Sequence, residues 1–502
     1  MNAWHTERYD LCVIGCGPGG FAAAMRALDF GKSVCILEAG EIGGAGVRWG
    51  ALASKTMWEL SKDYAVAAKM DRGYCTTALR VDFESMRSTV IQAVEERQSQ
   101  MLTQLDRFSP HRWKGGGSLT LKRGHGRFLS RKILGVISET GREERVAADF
   151  FVIATGSRPR QIDGIQTDQE RVLDSDGILN LKTFPKRLMI IGAGIIGCEY
   201  ATIFANFGQT AVSLVDHMDR VIPYEDDDVS DFVRTSLTRD GVRIHHSSRL
   251  REVIRHDSHL QAVLECSDGR RERFDTDALL IAIGRRPQVE QLGLEQAGII
   301  EKKSSHLLTD VNCRLTDSIY AVGDVNHHPA LINIAEGEGR LAVEHMFGKN
   351  PRPLNYRNMS TVMFFHPAVA SVGLSERACR RQNIAYRAAY HDNHLLSRAI
   401  AMRTVRGFAK IIVSDDARQT ILGMRAAGPQ VSSMIMAVAL LMDQNIGIRD
   451  MLKTVYPHPT ISEGIQECLR LLLGESVYKP EAFPEYLKLW SWHPGEPASA
   501  SP

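Results

Sequence analysis

The order of apolar and polar residues predicts two copies of one strand–turn–helix–strand pattern. In the first copy, LCVI at 11–14 predicts a buried strand, GCGPGG a tight turn, FAAAMRAL a helix and SVCILE a second strand. In the second copy, RLMIIGAGIIGCEYA at 187–201 and AVSLVD at 211–216 repeat this order. Strands that alternate with helices in this way predict a parallel sheet covered by helices.

Each turn carries the glycine spacing G-x-G-x-x-G, which suits the binding of a dinucleotide. The spacing falls on Gly15, Gly17 and Gly20, and again on Gly192, Gly194 and Gly197. Glycines permit a tight turn and close approach of the backbone to a pyrophosphate, which the N-terminus of the next helix attracts. Each second strand ends on an acid, Glu38 or Asp216, that is placed to bind a ribose hydroxyl. Two such sites in one chain predict two cofactors that exchange electrons.

Asp216 also predicts which nicotinamide nucleotide is preferred. A carboxylate at this position accepts the 2′-hydroxyl of NAD and repels the 2′-phosphate of NADP. His217 and Arg220 follow closely in the sequence, and they either weaken this preference or are ordinary surface charges. The sequence therefore admits NAD(H) or NADP(H) and favours NADH.

Three further strand ends, and a change in the order of predicted strands and helices after Asn355, indicate the domain organisation. ATGSRP at 154–159, which contains Gly156, and AIGRRP at 282–287 have the same shape, and each marks a crossover between domains. SIYAVGDV brings a carboxylate, Asp324, to the end of a strand, where it can meet a cofactor sugar. After Asn355, strand-like STVMFFHPAVASVGL, GFAKIIV and QTILGMRAAG mix with helical SSMIMAVALLMDQ, as in a separate α+β domain.

Composition and charge exclude several classes of protein. The 502 residues suffice for two or three domains, with 44% hydrophobic and 24% charged residues and a net charge of +2. This balance predicts no nucleic-acid partner and no membrane partner. Nine cysteines without a CxxC pair indicate neither a disulfide framework nor a metal site, and favour a reducing, cytoplasmic compartment. The longest apolar run, 434–442, is too short to span a bilayer and predicts a buried helix.

In combination, the motifs resemble the flavoprotein disulfide reductases with two dinucleotide folds. The order GCGPGG, Glu38, GGAGVRWGALASK, ATGSRP, GAGIIGCEYA, AIGRRP, YAVGDV and HPTISE extends over about residues 8–470. This family includes dihydrolipoamide dehydrogenase, glutathione reductase, mercuric reductase and the soluble pyridine nucleotide transhydrogenases. The resemblance implies FAD in the first cradle, beside Gly156 and Asp324, and NAD(H) or NADP(H) in the second. It also implies a homodimer in which each active site borrows residues from the partner chain.

The resemblance implies an α/β, glutathione-reductase-like fold with two Rossmann-like dinucleotide-binding domains, for FAD and NAD, and a C-terminal α+β dimerisation domain. The expected segments are FAD-binding at 1–158, NAD(P)-binding at 159–285, FAD-binding again at 286–354, dimerisation at 355–474 and a C-terminal extension at 475–502. Residues 478–492 of the extension are too aromatic for a linker, so we expect them to pack on the dimer surface.

The sequence departs from the family at residues 43–55, GGAGVRWGALASK. The family reads GG-T-C-x-N-x-G-C-x-P-S-K, and its two cysteines form the disulfide that takes electrons from the flavin. Gly46 and Ala51 occupy those two positions here. Glycine and alanine cannot supply the thiolate that such a relay requires. We expect the two missing side chains to leave space for a substrate, which Arg48 and Trp49 would line.

A displaced redox cysteine is the alternative to a lost relay. The cysteines nearest the two cradles in sequence are Cys12, Cys16, Cys35 and Cys198. Each is explained more simply as a small buried hydrophobe, because free cysteine is among the most buried residue types.

Two acid–base pairs of the family remain. Lys55 matches the lysine that contacts the cofactor near flavin N5, and Glu199 matches its glutamate partner; the pair either tunes the flavin potential or is an ordinary buried ion pair. His458 and Glu463 match the catalytic acid/base and the carboxylate that orients its imidazole. Here the alternative is a packing role for His458 at the interface.

The sequence leaves three functions open. The first is an enzyme that passes electrons from NADH through FAD to a small-molecule acceptor other than a disulfide, such as a quinone. The second is a soluble transhydrogenase, which this chain resembles at Trp49-Gly50 and in DHMDRVIPYEDDDVSD. The third is a non-catalytic flavoprotein that serves assembly or electron relay.

Overall fold

A computed structural model describes residues 6–71, 73, 75–300 and 306–496 of the chain. Residues 1–5 of the expected first segment and 497–502 of the expected extension lie outside the described residues. The chain divides into two compact units. Unit 1 comprises Met1–Leu60, Met70–Pro185 and Ala278–Leu354, and unit 2 comprises Ser61–Lys69, Lys186–Asp277 and Asn355–Pro502. The five domain bounds expected from the sequence stay a prediction.

The strands of the described residues, in chain order, are β1 Thr6–Ile14, β2 Ser33–Glu38, β3 Ser118–Ser130, β4 Ile133–Ser138, β5 Glu143–Ile153, β6 Ser157–Pro159, β7 Val172–Asp174, β8 Arg187–Ile191, β9 Ala211–Val215, β10 Arg243–His245, β11 Ser248–Arg255, β12 Leu260–Cys266, β13 Arg271–Thr276, β14 Ala278–Ile281, β15 Arg285–Pro287, β16 Arg314–Thr316, β17 Ile319–Ala321, β18 Ser360–Met363, β19 Val369–Gly373, β20 Tyr386–Asp392, β21 Phe408–Ser414, β22 Ile421–Ala427 and β23 Leu487–Trp492. The α-helices are α1 Pro18–Asp29, α2 Ala51–Ala68, α3 Phe83–Arg107, α4 Ile195–Phe207, α5 Asp227–Arg239, α6 Ile332–Met346, α7 Glu376–Arg381, α8 Ser397–Ala401, α9 Val431–Asp443, α10 Ile448–Met451 and α11 Glu463–Leu473.

Unit 1 is built on a seven-stranded sheet. Its parallel pairings give a core in the order β3-β2-β1-β5-β17. Antiparallel β4 joins β3 to β5, and antiparallel β16 extends the sheet beyond β17. The end of β1, from Leu11 to Ile14, is at most 4% exposed, which is typical of a parallel strand covered on both faces.

Helices α1 and α6 of unit 1 approach each other closely through glycines. A Cβ atom added at Gly19 would lie 3.0 Å from the Ala335 carbonyl oxygen, and one at Gly339 would lie 2.3 Å from that of Gly19. This contact admits no larger side chain at Gly339 without a backbone shift. It therefore fixes α1, and with α1 the glycine loop that precedes it.

Unit 2 contains three sheets. Strands β8, β9 and β10 pair in parallel, and α4 connects β8 to β9. Strands β11, β12 and β13 form an antiparallel sheet. A third sheet has the order β18-β19-β22-β21-β20-β23, with α9 packed on β19 and β22 and α11 packed on β20 and β21. This last arrangement confirms the α+β domain expected after Asn355.

The C-terminal extension forms part of this six-stranded sheet. Strand β23 pairs antiparallel with β20, in the register Tyr386 to Trp492 and His391 to Leu487. The Trp492 ring stacks on that of Tyr386 with centroids 5.9 Å apart. The structure makes 487–492 an edge strand of their own unit's sheet, and the expected packing of 478–492 on the dimer surface stays a prediction. Cross-strand aromatic pairing explains this position.

The apolar run 434–442 forms most of α9 but is buried on one side only. Met434, Ile435 and Val438 are buried, whereas Met436 is 62% exposed and Leu440 57% exposed. The expectation of a buried helix was therefore wrong for the second face. No helix among the described residues combines the length and the apolar character needed to cross a membrane.

Candidate active site

The first glycine loop joins β1 to α1 in unit 1 and has the close contacts of a dinucleotide cradle. Gly15 has φ +101°, and a Cβ added there would lie 2.4 Å from the Ala154 carbonyl oxygen. A Cβ at Gly20 would lie 2.0 Å from the Gly15 oxygen, whereas one at Gly17 would meet nothing within 4 Å. The loop thus needs glycine at positions 15 and 20 for its own packing, and keeps an open side at Gly17, directly before α1. The open side suits a pyrophosphate at the helix N-terminus.

Glu38 closes this loop at the end of β2. Its Oε2 accepts a hydrogen bond from the Cys16 backbone N–H at 2.6 Å, and its Oε1 accepts one from Gly40 at 2.7 Å. A carboxylate has about four acceptor positions, so these two bonds leave capacity for a ribose hydroxyl. The loop and its distal acid therefore fit the FAD that the resemblance implies.

Gly156 and Asp324 also lie in unit 1, just beyond the ends of β5 and β17. A Cβ added at Gly156 would meet no atom within 4 Å, so this backbone is open to a ligand. The Asp324 carboxylate accepts a hydrogen bond from Ser157 Oγ at 2.6 Å. Both strands belong to the parallel core, and their carboxyl ends lie on the same edge of the sheet as the glycine loop.

Residues 43–55 form a short π-helical turn, Ala45–Trp49, which is followed by α2. A Cβ added at Gly46 would lie 2.4 Å from Pro18 Cγ and 3.4 Å from Ile332 Cδ1. A Cβ at Gly50 would lie 2.2 Å from the Ala45 carbonyl oxygen. The expected space at position 46 is therefore filled by a proline ring, and that expectation was wrong. The turn is a closely packed backbone wall.

The second glycine loop, in unit 2, repeats the geometry of the first. Gly192 has φ +107°, and a Cβ at Gly197 would lie 1.8 Å from the Gly192 oxygen. A Cβ at Gly194 would meet nothing within 4 Å. Asp216, only 8% exposed, accepts hydrogen bonds from the backbone N–H groups of Ala193 and Met218. This loop is the counterpart of the Glu38 cradle and fits a second dinucleotide.

The bases that follow Asp216 have acidic partners. The Arg220 guanidinium pairs with Asp227 and lies 3.6 Å from Asp219. His217 Nδ1 lies 3.1 Å from Asp216 Oδ1, and the His217 side chain is 57% exposed. Arg220 is thus compensated by carboxylates, which reduces its attraction for a 2′-phosphate.

His458 and Glu463 lie together in unit 2, immediately before and at the start of α11. His458 Nδ1 is 2.8 Å from Glu463 Oε1, and Glu463 Oε2 accepts a hydrogen bond from the Thr460 backbone N–H at 2.9 Å. An ionised carboxylate only accepts, so Nδ1 carries the proton and Nε2 is the nitrogen presented to a ligand. The His458 side chain is 66% exposed.

Lys55 and Glu199 belong to different units, so their pairing stays a prediction. In unit 1, Lys55 Nζ lies 3.3 Å from Ser54 Oγ. In unit 2, Glu199 is 5% exposed, and its Oε1 accepts a hydrogen bond from the Phe364 backbone N–H at 3.0 Å.

Comparison with known proteins identifies the family. Residues 9–339 match the model of pyridine nucleotide-disulphide oxidoreductases, and residues 359–469 match the dimerisation domain of those proteins. The chain belongs to the pyridine nucleotide-disulphide oxidoreductase family. It is an NAD(P)H-dependent flavoprotein oxidoreductase, since members of this family use FAD and NAD(P)H.

Relatives within the pyridine nucleotide-disulphide oxidoreductase family align over nearly their whole length. Dihydrolipoyl dehydrogenase 3 of Pseudomonas aeruginosa is 31% identical over 477 residues, covering 94% of this chain and 99% of the relative. The mitochondrial dihydrolipoyl dehydrogenase of Schizosaccharomyces pombe is 31% identical over 478 residues, covering 94% of this chain and 91% of the relative. The crystal structure of LpdA from Mycobacterium tuberculosis superposes with a TM-score of 0.84 at 25% identity, covering 93% of this chain and 99% of LpdA.

The cysteines closest in sequence to the two glycine loops are buried. No cysteine lies between Cys35 and Cys75 in the sequence, so residues 43–55 have no thiol of their own. Cys12, Cys16 and Cys35 are fully buried, as is Cys198 in unit 2. Burial, with a smaller contribution from Glu38, raises the pKa of Cys16 to about 12. A thiol held protonated is a poor nucleophile.

Sequence reasoning missed the residues that support Asp324. Ser157 and Arg285 each follow the last glycine of a crossover motif, ATGSRP or AIGRRP. The two motifs form strands β6 and β15, which pair antiparallel. Their similar shape was the available signal, but nothing in the sequence showed that they touch. Among the described residues, no group of three or more His, Cys, Asp or Glu side chains is arranged to hold a metal ion.

Proposed function

We propose that this flavoprotein passes electrons from NADH through FAD to a small-molecule acceptor that is not a disulfide, such as a quinone. The observation that carries the proposal is the segment 43–55, which has no thiol and no room for a side chain at Gly46. A protein in which electrons leave through a thiol relay needs two cysteines close together beside the flavin.

The residues of unit 1 bind and orient the first cofactor in this proposal. The open side at Gly17 receives the pyrophosphate, Glu38 a ribose hydroxyl and Asp324 a ribitol hydroxyl. FAD, when bound, accepts two electrons from the nicotinamide and releases them to a different acceptor. The packed turn Ala45–Trp49 serves as a wall that keeps bulk water from this region.

Asp216 selects NADH in this proposal. Its carboxylate is held by two backbone N–H groups, and Arg220 is compensated by Asp227 and Asp219. A 2′-phosphate would therefore meet a fixed negative charge. We expect higher kcat/KM for NADH than for NADPH, and about a tenfold narrowing of that ratio in D216A. A wild-type enzyme that prefers NADPH would contradict this assignment.

His458 supplies the proton in this proposal. Reduction of a quinone to a quinol takes two electrons and two protons. The hydride equivalent from NADH carries one proton, and the Nε2–H of His458 in its imidazolium form would donate the other, which leaves the neutral imidazole with its proton on Nδ1. Glu463 holds Nδ1 at 2.8 Å and stabilises the imidazolium. The 66% exposure of His458 fits a side chain that completes the active site of a partner subunit, as the family resemblance implies.

The homodimer itself is supported by the matched dimerisation domain at 359–469. The exposed face of α9, with Met436 and Leu440, is apolar enough to be buried in such an interface.

Transhydrogenation is the second candidate, favoured by the Trp49-Gly50 resemblance. Hydride transfer between two nicotinamides needs no proton donor, so His458 and Glu463 would have no catalytic role in transhydrogenation. A screen of acceptors at steady NADH concentration separates the candidates, with a quinone, thio-NADP, lipoamide, mercuric ion and oxygen as the acceptors. We expect quinone turnover to exceed the turnover of the other acceptors. Faster turnover of thio-NADP would move transhydrogenation to first place. A flavin that neither NADH nor NADPH reduces would mean a non-catalytic flavoprotein.

A further inference from the structure

Four side chains of unit 1 form one continuous chain of hydrogen bonds that ends at Asp324. The Arg285 guanidinium donates to both carboxylate oxygens of Asp176, at 2.6 and 3.2 Å. Arg285 Nε donates to Ser157 Oγ at 2.9 Å. Ser157 Oγ donates to Asp324 Oδ2 at 2.6 Å.

The chemistry of the groups fixes the direction of every bond. A guanidinium only donates and an ionised carboxylate only accepts. The Ser157 hydroxyl therefore accepts from Arg285 and commits its single proton to Asp324. Because its acceptor is an ionised carboxylate, the bond from Ser157 to Asp324 is charge-assisted and stronger than a neutral pair, and the guanidinium bonded to Ser157 polarises the hydroxyl further.

Pairing of the backbone around Ser157 and Arg285 holds these hydrogen-bonded side chains rigidly. Strands β6 and β15 pair antiparallel with Ser157 opposite Pro287 and Arg285 opposite Pro159. The Gln288 backbone N–H donates to the Gly156 carbonyl oxygen at 2.9 Å, which continues the pairing. The Arg285 side chain is 17% exposed and that of Asp176 25%, so solvent screens their ion pair only in part.

We infer that Ser157 and Arg285 are positioning residues for Asp324, which fix its carboxylate so that Oδ1 would be left to accept a hydrogen bond from a hydroxyl of the cofactor's ribitol. Within the described part of the chain, Ser157 is the donor to Oδ2 and no donor reaches Oδ1. The inference rests on the role proposed for Asp324 in binding FAD. It assigns a role to Ser157 and Arg285, the residues that follow the glycines of the two crossover motifs. A carboxylate that is already oriented loses less conformational entropy when it binds the hydroxyl.

Titration of FAD into the apo-protein, followed by quenching of flavin fluorescence, tests this inference without any assay of activity. S157A removes the donor, so that Asp324 must be oriented when FAD binds, and we expect the Kd for FAD to rise about tenfold. S157T retains a hydroxyl and is expected to bind within about twofold of the wild type. R286A is the matched control, because Arg286 neighbours Arg285 but takes no part in these hydrogen bonds. Its side chain is 46% exposed and forms a long ion pair with Glu290, at 3.9 Å.

The double variant S157A/D324A separates positioning from a general packing defect. If Ser157 acts through Asp324, the double variant binds FAD no more weakly than D324A alone. A Kd for S157A equal to that of the wild type, or additive losses in the double variant, would overturn the positioning role. Unchanged binding in D324A would overturn the FAD role of Asp324, a failure of the proposed function that S157A alone does not produce.

Discussion

Residues 43–55 of unit 1 and 456–463 of unit 2 both resemble the active-site segments of the disulfide reductases, yet they have kept opposite features. The first segment keeps a tightly packed backbone, with Gly46 against Pro18, and contains no thiol. The second keeps its reactive side chains, with His458 and Glu463 at 2.8 Å. In the proposed function, the chain therefore lacks the thiols through which electrons leave the flavin in this family, and it keeps the residue pair that supplies the proton. An acceptor that takes a proton and needs no thiol accounts for both.

The largest expected effect concerns disulfide substrates. We expect turnover of lipoamide and of glutathione disulfide to fall at least a thousandfold below about 10 per second, a typical enzyme rate, because no thiolate lies in residues 43–55. Oxidation of NADH with each disulfide, followed by absorbance, measures this. A dihydrolipoyl dehydrogenase assayed in parallel is the control, and turnover at an ordinary enzyme rate would mean that another cysteine carries electrons.

The second effect concerns His458 and Glu463, the pair proposed to supply a proton when the flavin is reoxidised. H458A removes the proton donor, so we expect reoxidation of the reduced flavin by the acceptor to slow about a hundredfold, with little change in flavin reduction by NADH. E463Q should show a smaller defect of the same kind, because it disturbs only the orientation and charge of the imidazole. Stopped-flow absorbance follows the two half-reactions separately.

A matched control for H458A exists in the same unit. His394 lies 2.6 Å from Asp392 Oδ1 and is 44% exposed, so it is a comparable histidine–carboxylate pair outside the proposed site. H394A is expected to reoxidise at the wild-type rate. Reoxidation of the flavin at the wild-type rate in H458A would mean that His458 has only a packing role, and it would favour transhydrogenation.

The third effect concerns the packed wall. G46A places a Cβ atom 2.4 Å from Pro18 Cγ, a ring that cannot rotate away, and we expect it to lower the free energy of unfolding by about 1–3 kcal/mol. Pro18 begins α1, so FAD binding should weaken as well. Thermal unfolding of the holoprotein measures the first effect, with A51S as the control at the position that matches the family's second cysteine. Equal stability of G46A and the wild type would show that the turn has free space.

The smallest expected effect is a pH dependence of the free energy of unfolding, caused by His391, a buried residue near the start of α11. Burial lowers the pKa of His391 to about 4, and neither of its ring nitrogens has a hydrogen-bond partner within the described residues. The unfolded chain, with a pKa of about 6.5, binds this proton more tightly. Stability therefore falls as the pH is lowered through the window from about 6.5 to about 4, by about 2 kcal/mol between about pH 7 and about pH 5.

The variant H391L tests this dependence, since leucine does not titrate. Its free energy of unfolding in urea should vary less between the two pH values than that of the wild type. Identical pH dependence of the two proteins would show that other groups account for the acid sensitivity.

Local features of the fold were predictable from the sequence. The glycine loops at Gly15 and Gly192, and the acids at Glu38 and Asp216, depend on residues within one strand–helix–strand unit, and the structure has each loop between a strand and a helix with its acid at the end of the next strand or just after it. The sequence assigned no strand to Tyr386–Asp392 or to Leu487–Trp492, because these strands are stabilised by pairing with each other and, for Tyr386–Asp392, by pairing with β21 as well.

Features that depend on distant contacts were not predictable. The space expected at Gly46 is closed by Pro18 and Ile332, which are 28 and 286 positions away in the chain. The hydrogen bond from Ser157 to Asp324 likewise joins residues separated by 167 positions. Spacing and residue type cannot reveal such contacts, because packing alone brings them together.

Anaerobic titration of the oxidised holoprotein with NADH tests most directly whether electrons leave FAD without a thiol. A redox disulfide stores two electrons in addition to those of the flavin. We predict that the flavin is fully reduced by about one equivalent of NADH per FAD, and that thiol titration in denaturant finds the same number of free thiols before and after reduction. Uptake of about two equivalents of NADH, with two new thiols per chain, would contradict this account.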